Sequence, residues 1–143
     1  MRDLENSYIC FYNICAMRRR CGRFYHEMEG MGLKPGFILE GLILKLLAQE
    51  PMHGYEIFTR IEEYFSEIPS FRGLVMRGVG YRILRMMEEF GLIASEWDVS
   101  VGPARRVYKI TEDGLKTLEA FINSLNTLKM TLEKILSFLN QEV

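Results

Sequence analysis

A mostly α-helical chain with one small β-hairpin and a long terminal helix is what this sequence predicts, and three observations carry the prediction. Apolar segments of helix length follow one another between Phe37 and Phe90. The period then changes to that of short strands on either side of a Gly102-Pro103 turn signal. After Thr111 a leucine repeat runs to the final residue. The chain divides into an N-terminal helical extension over 1–35, a compact domain over 36–111 and a terminal helix over 112–143, with no internal repeat.

The first helix of the compact domain holds Phe37, Leu39, Leu42, Leu44, Leu46 and Leu47. Pro51 ends it, because the residue before a proline is pushed out of the helical region. A second helix starts near His53, with Ile57, Ile61, Tyr64 and Phe65 on one apolar face. His53 itself reads as a helix-start residue packed against its own turn. Pro69, Ser70 and Gly73 mark a linker to a third helix near Met76–Phe90. There Val79, Ile83, Met86 and Met87 point inward, Arg77, Arg82 and Arg85 fall away from that stripe, and Gly91 is the stop. Leu92 to Val99 and Val107 to Ile110 read as two strands joined by a loop that contains Arg105 and Arg106. Thr111 is a candidate N-cap for the last helix. Helix, helix, helix, hairpin, helix is the order of a winged helix-turn-helix.

The charge balance sharpens this. The 143 residues carry 18 Lys+Arg against 19 Asp+Glu, a net charge of −1. Hydrophobic content of 48% and charged content of 26% exclude a disordered tail, a disulfide-rich mini-protein and a globally basic histone-like binder. Between Arg72 and Lys109, however, seven bases face four acids, a local +3. The remainder carries −4. A positive surface on an otherwise negative protein is what phosphate attraction needs, and a helix bearing Arg77, Arg82 and Arg85 fits the major groove, where arginine pairs with guanine. Solvated surface arginines are the alternative reading of the same charges.

Three stretches carry more than charge: Glu50–Ile57 (EPMHGYEI), Gly80–Ile93 (GYRILRMMEEFGLI) and Ser95–Gly114 (SEWDVSVGPARRVYKITEDG). In this order and spacing, the chain from about Phe37 to Leu118 resembles the PadR family of bacterial and archaeal transcriptional regulators. The resemblance implies a homodimeric DNA-binding regulator, usually a repressor, that binds a palindromic operator through recognition helix and wing. It also implies release by a small-molecule effector or other signal. Carried onto this sequence, it places Tyr55 and Tyr81 at DNA-facing or backbone-contacting positions and Arg105 and Arg106 on the wing, with Lys109 beside them. One departure stands out. Family members often begin the recognition helix with a Ser/Thr-containing stretch, whereas this chain reads Arg77-Gly78-Val79-Gly80, without a hydroxyl to hold phosphate or cap the helix.

The terminal helix has a heptad-like stripe of Leu115, Leu118, Ile122, Leu125, Leu132, Leu136, Leu139 and Val143, broken at Lys129. A helix of about 45 Å with nothing downstream to pack on predicts a second copy of the chain as its partner. Folding back onto its own domain is the alternative. In the N-terminal extension, Cys10, Cys15, Cys21 and His26 stand five, six and five residues apart. On one helix Cys10 and Cys21 lie about 16 Å apart, too far for one tetrahedral zinc. Small residues of an extra dimerisation helix, redox pairing between subunits and a metal shared across a break therefore stay open, with no metal expected. Arg18, Arg19, Arg20 and Arg23 extend the basic surface.

Trp97 and Tyr108 are candidates for an aromatic effector pocket, although aromatic residues on a wing strand are more often core. The two histidines, His26 and His53, have no Ser-His-acid or Gly-rich phosphate motif around them, so no catalytic residue, enzyme activity or cofactor is expected. No stretch reaches the ~20 apolar residues of a membrane span, and the N-terminus lacks the charge order of a secretory signal, which predicts a cytoplasmic protein with reduced thiols. A winged-helix protein-interaction module without DNA is the competing function.

Overall fold

The computed structural model describes residues 35–67 and 77–142. The N-terminal extension, with its cysteines, His26 and arginine cluster, lies outside the described residues. So do Arg72 and the side chains of Arg77 and Gly78.

Helix α1 (Pro35–Gln49) is apolar on most sides because it is surrounded: Leu39, Ile43, Leu44 and Leu47 are buried. The chain then makes a two-residue strand, β1 (Met52–His53), before α2 (Gly54–Tyr64), whose Ile57, Phe58 and Ile61 face the core. Helix α3 (Arg77–Glu89) directs Ile83, Leu84 and Met87 inward. It stops as the sequence predicts. Gly91 adopts φ +72°, its N–H bonds the Glu88 carbonyl, and the Leu92 N–H bonds Met87. That pairing is a Schellman cap, and the left-handed residue it needs is cheap only for glycine.

Strands β2 (Ile93–Asp98) and β3 (Arg105–Ile110) form the hairpin, but β3 begins two residues earlier than expected, so Arg105 and Arg106 are strand residues rather than loop residues, with Trp97 opposite Arg106 and Asp98 opposite Arg105. The sheet nevertheless has three strands, in the order β1-β3-β2, because Met52 and His53 pair with Tyr108 and Val107. Two residues behind a proline are too short to show a period, so β1 is invisible in the sequence pattern. Helix α4 (Glu112–Leu139) is capped by Thr111, whose hydroxyl accepts from the Gly114 N–H at 3.1 Å. Glu112 and Asp113 in its first turn complement the helix dipole. The mostly helical architecture with a small antiparallel sheet and a long C-terminal helix is the winged helix that the sequence predicts.

Two features qualify the expected domain plan. Leu118 and Phe121 of α4 are buried, and the Phe121 ring meets Phe37 of α1 at 4.8 Å between centroids. The first turns of α4 therefore complete the core of the winged domain. Glu40 is the other. It is a carboxyl at only 7% exposure, and burial lifts its pKa to about 7.

Candidate nucleic-acid interface

Alternation along β3 assigns the basic residues of the wing to different faces. Tyr108 is buried, so Arg106 and Ile110 share its side of the sheet, while Arg105, Val107 and Lys109 point the other way. On the outer face Lys109 pairs with Glu96, and Arg105 faces its ladder partner Asp98. Two hydrogen bonds from Ser100, then the charges of His53 and Arg105, hold the Asp98 carboxyl below the usual carboxylate range. On the inner face Arg106 reaches α3, donating to Glu88 at 3.2 Å, and its guanidinium stands 5.6 Å from the Trp97 ring centroid.

Between α3 and the wing lies a cleft of about 460 Å³, lined by His53, Tyr55, Tyr81, Arg85, Arg105, Arg106 and Tyr108. Three chain segments meet here. Tyr55 comes from the first turn of α2, Tyr81 and Arg85 lie one turn apart on α3, and the remaining side chains come from the sheet. Tyr55, Tyr81, Arg82, Arg85 and Arg105 are all exposed. Arg85 and Arg105 have no ion pair within 4 Å among the described residues.

Tyr81 is held by packing: its ring meets Phe58 edge-on at 5.2 Å. Here the unusual glycine of the helix start has a structural reason. A Cβ on Gly80 would come within 2.5 to 3.1 Å of the Phe58 ring, so only glycine lets α3 approach α2 this closely.

Several sequence-based assignments change. Leu118, expected in the dimer stripe, belongs to the domain's own core. Leu115 and Ile122 are half exposed, Leu125 and Leu128 are intermediate, and everything described beyond Leu128 is exposed, including Leu132, Leu136 and Leu139. Ile135 and Phe138 widen that outer stripe. Tyr108 is buried at the floor of the cleft, with burial raising its hydroxyl pKa, whereas Trp97 does not line the cleft and is 65% exposed, with the Arg106 guanidinium over one side of its ring. Arg106 and Lys109 have intramolecular acidic partners. His53 is the helix-start residue expected, at the N-cap of α2. It makes no side-chain cap bond, and its Nε2 lies 3.6 Å from Asp98. Sequence reasoning missed Glu88, which it counted only as a charge, although it stands one turn beyond Arg85.

The family model of the PadR-like transcriptional regulators matches residues 43–120, more than half of the chain and all of this cleft. The chain belongs to the PadR-like family. Solved structures agree. A conserved protein of unknown function, described as a potential transcriptional factor, is 39% identical over 76% of this chain and 95% of its own, with a TM-score of 0.62. A PadR-like transcriptional regulator from Bacillus cereus is 30% identical over 82% of this chain and 99% of its own, at 0.60. A PadR-like transcription factor from Bacteroides fragilis is also 30% identical, over 70% and 91%, at 0.59. No curated protein sequence matches the chain. This PadR-like chain is thus one of a family of transcriptional regulators, and among its described residues no helix is long and apolar enough to cross a membrane.

Proposed function

We propose that this PadR-like protein is a homodimeric repressor that grips a palindromic operator and lets go when a small-molecule effector or other signal arrives. The observation that carries the DNA contact is the cleft, where Arg85 of α3 and Arg105 of the wing converge with the exposed Tyr55 and Tyr81. A helix in the major groove with a cation on either side of the adjacent backbone is the docking such an arrangement suits. Arg82 and Arg85 are the candidates for base edges, with Arg77 at the helix start. Arg105 and the tyrosine hydroxyls are the candidates for phosphates.

The distal half of α4 supports the dimer. Leu132, Ile135, Leu136, Phe138 and Leu139 are exposed along about two turns, and a second copy of the same helix would cover them. Two recognition helices would then read half-sites about 34 Å apart. The effector and the repressing role rest on family resemblance.

Selection of bound sequences from random duplex DNA by the full chain tests the proposal. An enriched palindrome, bound with an affinity that falls steeply with salt, is the expected result. Arg82→Ala with Arg85→Ala abolishes that binding while the fold persists. Recovery of no sequence, together with indifference to both substitutions, favours the protein-interaction module.

A further inference from the structure

The wing presents two adjacent arginines on opposite faces of β3, and they are not equivalent. Among the described residues Arg105 faces Asp98 across the ladder without an ion pair within 4 Å, whereas Arg106 is engaged on the inner face by Glu88 and Trp97. Resting on the DNA-binding reading above, we propose that Glu88, Arg106 and Trp97 form a latch that sets the wing against the recognition helix. Arg106 is then a positioning residue and Arg105 the phosphate contact.

The geometry is specific. Glu88 sits in the last turn of α3, and its carboxylate accepts from the Ser95 hydroxyl on β2 and from the Arg106 guanidinium on β3. One side chain therefore ties both strands of the wing to the helix that lines the cleft with Arg85. Trp97 and Arg106 are direct ladder partners, so stacking of the guanidinium over the indole closes the arrangement from the outer end.

Charge argues the same way. A carboxylate one turn from Arg85 repels phosphate unless it is neutralised, and Arg106 neutralises it. The pair is partly exposed, at 42% for Arg106 and 27% for Glu88, so its contribution to folding stability is small. Its effect is on where the wing sits.

Loss of Arg106 accordingly does two things: it releases the wing and bares the charge of Glu88 beside the bound backbone. The test uses the full chain and the duplex selected by the wild type. Arg106→Gln weakens binding by about tenfold or more, the scale of a lost charge partner at a polar interface. Glu88→Gln combined with Arg106→Gln removes the bared charge while the wing stays released, so it recovers only part of that loss and binds about threefold more tightly than Arg106→Gln alone. The double variant also keeps the wild-type dependence of log affinity on log salt, because no phosphate contact has gone. Arg105→Ala lowers that slope by about one, as the loss of one phosphate contact should.

Trp97 is the only tryptophan in the sequence, so its fluorescence reads the latch without DNA. Arg106→Gln makes Trp97 more accessible to acrylamide and changes its emission. A double variant as weak as Arg106→Gln, with its salt slope reduced by about 0.9, makes Arg106 a direct contact and overturns the proposal. Unchanged quenching overturns the latch alone. A wild type that binds no DNA overturns the DNA reading and with it the wing's role, a distinct result.

Discussion

Glu40→Gln tests the most unusual electrostatic feature of the core. The carboxyl lies on α1 at 7% exposure, and burial raises its pKa from 4.5 to about 7. Below pH 4.5 the group is neutral in both folded and unfolded chains, and no ionisation cost falls on folding. Between 4.5 and about 7 the unfolded chain releases the proton while the folded one keeps it, so stability declines with rising pH. Above about 7 the decline levels off. The full difference corresponds to about 3 kcal/mol. Glutamine keeps the shape without an ionisable proton, so its stability lacks this component. Relative to wild type, Glu40→Gln should therefore gain up to about 3 kcal/mol between pH 4.5 and 8. In a domain of this size that is on the order of 10 °C in Tm. Thermal melts of both proteins by circular dichroism, at one protein concentration across this range, measure the difference directly. Parallel pH profiles would refute the reasoning, since they would mean that Glu40 titrates alike folded and unfolded.

Other outcomes follow from close packing, backbone conformation and exposure. Gly80→Ala should cost about 1–3 kcal/mol in urea unfolding, because the new methyl drives into the Phe58 ring and that ring supports Tyr81. Operator affinity should fall with it. Gly91→Ala meets nothing within 4 Å, so only the φ of +72° opposes it. A loss of about 1 kcal/mol, read in the same unfolding assay, is expected. Leu132→Lys with Leu136→Lys should give a monomer in sedimentation equilibrium at micromolar concentration, with the circular dichroism spectrum of a folded winged domain, since both side chains are exposed on the single chain. A dimer that survives both charges would remove the distal half of α4 from the interface.

Much of this architecture was legible because local signals were strong and agreed. Gly91 ends α3, Thr111 caps α4, and Gly102-Pro103 marks the wing turn, each through the chemistry of one or two residues. The basic character of α3 and the wing was equally readable, since charge needs no coordinates to count. β1 escaped because its two residues show no period of their own and become a strand only when β3 lies beside them. Arg106 was grouped with Arg105 because they are neighbours in sequence. The pairing that extends β3 back to Arg105, with its parity anchored by buried Tyr108, parts them, and both are set by the neighbouring strands.

The sequence by itself determined the succession of helices and strands, the wing and the basic character of α3, because these depend on spacing, composition and turn chemistry within a few residues. Only the tertiary structure decided which cations face outward and which are held by Glu88 and Glu96. It also decided that Leu118 closes the core and that Glu40 lies buried. Ion pairing and burial depend on what lies across a few ångströms of space, and that neighbour is often far along the chain.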